Sequence, residues 1–246
     1  QMSQLTGNTQ YFTACNGTVT TLDAANSGCN FIWSNGATTQ LLNITNTGTY
    51  TVTVTDSYGC TLSFSSQLLV NPKPVPAFAA SNVCFNDTTS FTNSSTISGG
   101  NIISYQWDFG DGLTSVDISP SHVYALAGKY IARLIAISDS GCIADKIDTV
   151  EVYEKPISDF SAAQVCEGSS TNFINSSSSA SGSINSYSWN FGDSSSVSTA
   201  LSPTHLYAQF GTYQVSLITV SNYGCRDTSN KPISVNPNPV AGFTLN

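Results

Sequence analysis

The sequence predicts an all-β protein, a tandem array of small β-sandwich domains, on three observations. A set of landmarks recurs about every 82 residues. Apolar and polar residues alternate in Tyr50–Thr55, Tyr130–Ala136 and Tyr213–Thr219, the period of a strand with one buried face. Short clusters of Gly, Asn and Ser punctuate these runs, and no window sustains a helical period.

The repeat is explicit. Tyr105-Gln-Trp-Asp-Phe-Gly-Asp-Gly112 returns as Tyr187-Ser-Trp-Asn-Phe-Gly-Asp-Ser194, and Ser119-Pro-Ser-His-Val-Tyr124 as Ser202-Pro-Thr-His-Leu-Tyr207. Gly128-Lys-Tyr130 returns as Gly211-Thr-Tyr213, and Gly141-Cys142 as Gly224-Cys225. A shorter relative precedes them, with Phe31-Ile-Trp33, Gly48-Thr-Tyr50 and Tyr58-Gly59-Cys60 at matching places. Pro76-Ala-Phe78 corresponds to Ile157–Phe160 and to Val240–Phe243. These landmarks divide the chain into domains 1–72, 73–155 and 156–237, with 238–246 the first strand of a further repeat. The joins Val70–Pro74, Tyr153–Pro156 and Val235–Pro239 carry proline and read as semi-rigid hinges. Gln1 and the strand-like tail lead us to expect a mature product or an excerpt of a longer chain.

Composition narrows the partners. Apolar residues make up 40% of the 246, enough for sizeable cores, while only 9% are charged, so hydroxyls and amides form the surface. The net charge of −8 is spread along the chain, and residues 1–72 contain no Lys or Arg. With no basic stripe, nucleic acid is excluded as a partner. No run is long and apolar enough to span a membrane, and no signal peptide opens the sequence.

Six of the seven cysteines are placed regularly. Cys15, Cys84 and Cys166 stand early in a unit, while Cys60, Cys142 and Cys225 follow the Gly that closes the last alternating strand. This spacing predicts the pairs Cys15–Cys60, Cys84–Cys142 and Cys166–Cys225, and an oxidising compartment outside the cytoplasm. Metal ligation fails because no CxxC pair occurs. Cys29 is expected to be a small apolar filler.

Trp107-Asp-Phe-Gly-Asp-Gly112, followed by Ser119–Tyr124 and Gly128–Tyr130, resembles the signature of PKD (polycystic-kidney-disease) domains. Trp189 to Tyr213 matches it again, with Asn190 for Asp and Ser194 for Gly. The resemblance implies an immunoglobulin-like β-sandwich. Residues 29–60 resemble the Ig-like repeats of large Bacteroidetes surface proteins, among them gliding-motility adhesins and other cargo of type IX secretion.

The motif residues themselves read as structural. Trp107 and Trp189 sit mid-domain as core plugs. Asp108, Asp111 and Asp193 lie on turns, where a carboxylate can bond its own backbone. His122 and His205, before Tyr124 and Tyr207, read as hydrogen-bonders to the neighbouring turn. Asp108 and Asp111 do not make a general acid–base pair, because two carboxylates on one tight turn cannot converge across a cleft. No nucleophile elbow, HExxH or P-loop is present, so the chain is not expected to be an enzyme. No cofactor is implied. Calcium is the one metal that Asn86-Asp87 and Asp108–Asp111 invite, since some PKD domains bind it, yet no dense DxDxD loop occurs.

The Bacteroidetes resemblance also implies O-glycosylation at Thr88 and Thr149, in Asp87-Thr-Thr and Asp148-Thr-Val. A glycosylated stalk or shaft of a secreted, outer-membrane-associated adhesin is the expected function. It would present a distal binding tip or mediate attachment and gliding, with other repeats of the same chain, the secretion and motility machinery and a surface glycan as partners. Two alternatives stand beside it. One is a glycan- or protein-binding module acting through the loops Asn93–Asn101 and Asn175–Asn185. The other is a spacer of a secreted hydrolase.

Overall fold

A computed structural model describes residues 9–242. Phe243, matched above to Phe78 and Phe160, lies outside the described residues. Among those residues there is no helix, and the chain is all-β. The first repeat carries β1 (Gln10–Cys15), β2 (Thr20–Asp23), β3 (Asn30–Trp33), β4 (Leu41–Ile44), β5 (Gly48–Thr55) and β6 (Thr61–Asn71). The second carries β7 (Phe78–Ala80), β8 (Val83–Cys84), β9 (Thr89–Asn93), β10 (Ile102–Asp108), β11 (Thr114–Ser115), β12 (Ser121–His122), β13 (Gly128–Ser138) and β14 (Ile143–Tyr153). The third carries β15 (Phe160–Ala162), β16 (Val165–Cys166), β17 (Ser170–Asn175), β18 (Ile184–Asn190), β19 (Thr204–Leu206), β20 (Gly211–Ser221) and β21 (Arg226–Asn236).

The chain forms two compact units, and the second repeat contributes to both. One unit holds Gln1–Ala79, Thr92–Pro120 and Ala132–Asp148; the other holds Ala80–Phe91, Ser121–Ile131 and Thr149–Asn246.

In the first unit, the sheet β1-β6-β5-β3 and the pair β2-β4 enclose Leu22, Phe31, Trp33, Leu42, Ile44, Val52, Val54 and Leu68. Period-two alternation explains this: Val52 and Val54 point inward while Thr51 and Thr53 point out. On the outer face Thr51 and Thr53 share hydrogen bonds with Ser65 and Ser63 at 2.9 and 2.8 Å. Hydroxyl ladders of this kind stabilise a sheet surface that carries few charges. In the same unit β10 runs antiparallel to β13, from Ile102 opposite Ser138 to Asp108 opposite Arg133.

In the second unit β20 is the centre of the sheet β16-β21-β20-β18, and β15-β17-β19 covers it. Phe160, Phe173, Trp189, Phe191, Tyr207, Val215 and Leu217 fill the space between.

One feature recurs in all three repeats. A short strand ending in cysteine runs parallel to the C-terminal end of the last long strand. Cys15 is in register with Asn71, Cys84 with Tyr153 and Cys166 with Asn236.

Candidate functional site at the joints between repeats

The Trp motif builds cores. Trp107 and Trp189 are buried, and their indole Nε1 atoms donate to the carbonyls of Asp117 and Ala200, both at 2.9 Å. Trp33 does the same toward Thr39, at 2.7 Å. The turn aspartates cap their own turns: Asp108 accepts from Gly110 N and Asp111 from Leu113 N. Tyr124 and Tyr207 are buried and stack on Tyr130 and Tyr213 at 4.1 and 4.0 Å. Burial pushes the Tyr207 hydroxyl up from its ordinary value. Tyr50, Tyr130 and Tyr213 each donate their hydroxyl to the carbonyl four residues back, an anchoring of the last hairpin that the sequence analysis missed. The Gly-x-Tyr spacing was the available signal.

His205 stacks on Phe191 at 4.0 Å and hydrogen-bonds Asp193 Oδ2 through Nε2 at 2.7 Å. Burial opposes ionisation of Asp193, but hydrogen bonds from Ser195 and His205 outweigh it and hold the carboxyl at about 2. His122 packs edge-on against Tyr124 at 4.5 Å.

The disulfides differ from the expected pairs. Cys15 bonds to Cys142 and Cys84 to Cys225, with Cα–Cα distances of 5.6 and 5.5 Å. Each bond therefore joins one repeat to the next. Cys60 and Cys166 are exposed free thiols, and Cys29 is free and half-buried against the first core. The expected Cys15–Cys60, Cys84–Cys142 and Cys166–Cys225 pairs fail for a geometric reason. The early cysteine lies opposite the end of the last strand and the late one just before its start. Eleven residues of strand at about 3.3 Å each separate them by roughly 36 Å, far beyond disulfide reach.

At the first joint Cys142 Sγ lies 3.9 Å from the Asn71 carbonyl oxygen. Asp139 N donates to Asn101 O, and Asn101 N donates to the Asp139 carboxylate, both at 2.9 Å. At the second joint Tyr153 and Tyr223 stack with ring centroids 3.8 Å apart and planes 2° from parallel. Tyr153 OH donates to Glu151 at 3.0 Å, and Lys129 pairs with Glu151 at 2.8 Å. Lys129 and Tyr153 together hold the Glu151 carboxyl below its ordinary value. Asn222 and Ser183 exchange two hydrogen bonds at 2.9 Å, and Glu154 N donates to Ser181 Oγ. Of the loops Asn93–Asn101 and Asn175–Asn185, Ser181 takes the Glu154 amide across the joint, while Asn101 and Ser183 hold the turns before Cys142 and Cys225 in their own repeats.

The order Cys15, Cys84, Cys142, Cys225 makes the two closed loops overlap. Three chain segments, 15–84, 84–142 and 142–225, therefore run in parallel from one disulfide to the other.

A depression of about 280 Å³ is lined by Trp107, Asp108, Thr114, Val116 and Arg133, and Arg133 is paired with Asp145 at 3.0 Å. Another, of about 440 Å³, is lined by Tyr11, Phe12, Gly48 and Leu69. Among the described residues no three His, Cys, Asp or Glu side chains converge as metal ligands. Asp87, in the first region considered for calcium, pairs with Lys155 at 3.3 Å. Thr88 and Thr149 are both exposed.

Residues 69–152 and 153–235 each match the PKD domain family. The chain belongs to that family. Its PKD repeats are similar to Collagenase ColQ1 of Bacillus cereus (strain Q1), 47% identical over 53 residues, covering 22% of this chain and 6% of that protein. They are also similar to the pre-pro-metalloprotease PrtV of Vibrio cholerae, 42% identical over 60 residues, 24% of this chain and 6% of that one. The chain spans only 6% of the length of these curated relatives. The crystal structure of the PKD1 domain from PrtV is 35% identical and covers 33% of this chain and 98% of its own, with a TM-score of 0.31. The N-terminal eight Ig domains of Down Syndrome Cell Adhesion Molecule share the fold, with a TM-score of 0.56 at 12% identity over 94% of this chain and 36% of theirs.

Proposed function

We propose that this chain is a non-catalytic spacer of a secreted protein, built so that neighbouring repeats stay joined under load. The observation that carries this is the pair of disulfides bridging repeat to repeat, Cys15–Cys142 and Cys84–Cys225. A bond inside each domain would protect that domain alone. These bonds close the joints, and their overlap divides tension among three segments. Unfolding between the two bonds is then limited to the length of segment 84–142, about 200 Å at 3.3–3.6 Å per residue. We place the domain boundaries at 72/73, 155/156 and 237/238. Similarity to a collagenase and a metalloprotease favours a secreted hydrolase as the protein that this spacer serves.

The second reading is the shaft of a cell-surface adhesin carried by type IX secretion, acting in attachment or gliding, with sugars on Thr88 and Thr149. The load-sharing topology and the first repeat's resemblance support it. Sequencing the native parent polypeptide by mass spectrometry tests both. A protease domain in the same chain supports the hydrolase spacer. A chain of further repeats with glycosylated Thr88 and Thr149 supports the shaft. A lone chain of this length, with neither, overturns both.

A further inference from the structure

Cys60 and Cys166 occupy, in their own repeats, the same positions as the four cysteines already bonded. The turn before Cys60 is closed by Asp56 N to Cys60 O and Gly59 N to Asp56 O. The turns before Cys142 and Cys225 use the same two bonds, from Ser138 and Gly141 and from Ser221 and Gly224. In each turn the late-cysteine amide also donates to the side chain four residues back, Asp56, Ser138 or Ser221. The glycine of each turn has φ between 73° and 82°, which the turn requires. Cys166 matches Cys15 and Cys84 equally well. It is in register with Asn236, and the next residue's amide, on Glu167, donates to Asn236 O at 2.9 Å. Asn16 donates likewise to Asn71 O, and Phe85 to Tyr153 O. The turn around Cys60 and the strand end around Cys166 thus have the backbone geometry of a finished joint.

A second observation is independent of the sulfur. Tyr58 stands two residues before Cys60, as Tyr223 does before Cys225. Tyr223 stacks on Tyr153 across its joint, whereas Tyr58 is 90% exposed. An aromatic ring left this open beside an exposed thiol is half of the contact that Tyr223 and Cys225 make complete.

We infer that Tyr58–Cys60 and Cys166 are the two halves of one covalent joint, each of which takes a further repeat of this same kind. Cys60 takes the early cysteine of one repeat, at the end of a short parallel strand. Cys166 takes the late cysteine of another, on a Gly-Cys turn. Tyr58 adds selectivity, because it accepts best a repeat whose last strand ends in an aromatic residue, as the second repeat ends in Tyr153. Joint formation is thiol–disulfide exchange with a small-molecule disulfide as oxidant. One thiolate attacks the oxidant and forms a mixed disulfide, releasing one thiol. The second cysteine's thiolate then displaces the other oxidant half. The new S–S bond leaves two protons and two electrons on the reduced oxidant. The contact is head-to-tail, joining unlike surfaces, so it builds chains or rings of copies.

A second copy of this chain supplies both halves for the test. The protein is incubated with oxidised glutathione, separated without reduction, and its linked peptides are sequenced. A ladder of oligomers linked Cys60–Cys166 is expected. C60S and C166S proteins should each stay monomeric alone, and should give only a heterodimer when mixed. Asn236→Tyr should speed linkage several-fold, and Tyr58→Ala should remove that gain. Cys60–Cys60 or Cys166–Cys166 dimers in the single variants, linkage through Cys29, or no linkage beyond glutathione adducts would overturn the inference.

Discussion

The two joints share a disulfide and the same pair of loop-to-turn hydrogen bonds, Asn101 with Asp139 at the first and Ser183 with Asn222 at the second, and differ in the packing beside them. At the first, Cys15–Cys142 is accompanied by polar contacts between Asn101 and Asp139, with Ser140 where the later turn has an aromatic ring. At the second, Cys84–Cys225 and the equivalent Asn222–Ser183 bonds are backed in addition by the Tyr153–Tyr223 stack and the Lys129–Glu151 pair. The disulfide and the loop-to-turn hydrogen bonds are the constants, and the aromatic and charged packing beside them is the variable. Holding repeats together is thus assigned to the sulfur, while the side chains set how firmly each joint is seated once the sulfur is in place.

Removing the disulfides should break the comparison most sharply. Closed loops of 127 and 141 residues each correspond to about 5 kcal/mol in the chain-entropy model. Cys15→Ser with Cys142→Ser, or Cys84→Ser with Cys225→Ser, should lower stability by about that much in urea titrations. The joints should then part company in limited proteolysis. The first should be cut readily near Asn71–Pro74, while Tyr153–Pro156 stays protected by the remaining stack.

Glycine substitutions at the two equivalent loop positions come next. Gly182 has φ +74°, and a Cβ there would run into Asn222 and Tyr223. Gly182→Ala should cost about 2 kcal/mol, from the strained φ and the displaced joint residues. Gly100 has φ +76° and would meet only the Asp139 carboxylate, at 2.7 Å. That flexible group can turn aside, so Gly100→Ala should cost less, and paired thermal melts would order the two.

A change in the body of the third repeat serves as a control. The Asp193 carboxyl titrates at about 2 in the folded chain, below its ordinary value of 3.8. A lowered folded value gives stability that is present above about pH 4 and lost as the pH falls toward 2. Asp193→Asn should therefore cost about 1–2 kcal/mol at pH 6, little at pH 2, and leave protease protection at both joints unchanged. The smallest effect is expected from Tyr223→Ser, which gives the second joint the residue of the first. It should cost about 1 kcal/mol and bring proteolysis at Tyr153–Pro156 up to the first joint's rate when both disulfides are reduced.

Much of the fold was legible because its causes are local. Alternation in Tyr213–Thr219, the Trp189 plug and the Gly-Cys turns are patterns within a few residues, and they identify sandwiches and their repetition. The cysteine positions were equally plain, but their pairing was not. Pairing depends on which end of an eleven-residue strand each cysteine occupies, and that was fixed by strands such as Val83–Cys84 and Val165–Cys166. Two residues carry no periodicity, and nothing local announces a parallel register with Tyr153 or Asn236. The joint contacts were hidden for the same reason. Asn101, Ser181 and Ser183 sit in polar loops whose partners lie tens of residues away, so their composition reads the same whether the loop is open or seated.

The most direct test of the covalent joint is a peptide map of the oxidised chain, digested without reduction and read by mass spectrometry. The account predicts linked peptides containing Cys15 with Cys142 and Cys84 with Cys225, and unlinked peptides for Cys29, Cys60 and Cys166. Linked peptides joining Cys15 to Cys60, Cys84 to Cys142 and Cys166 to Cys225 would contradict it and return each disulfide to the interior of a single repeat.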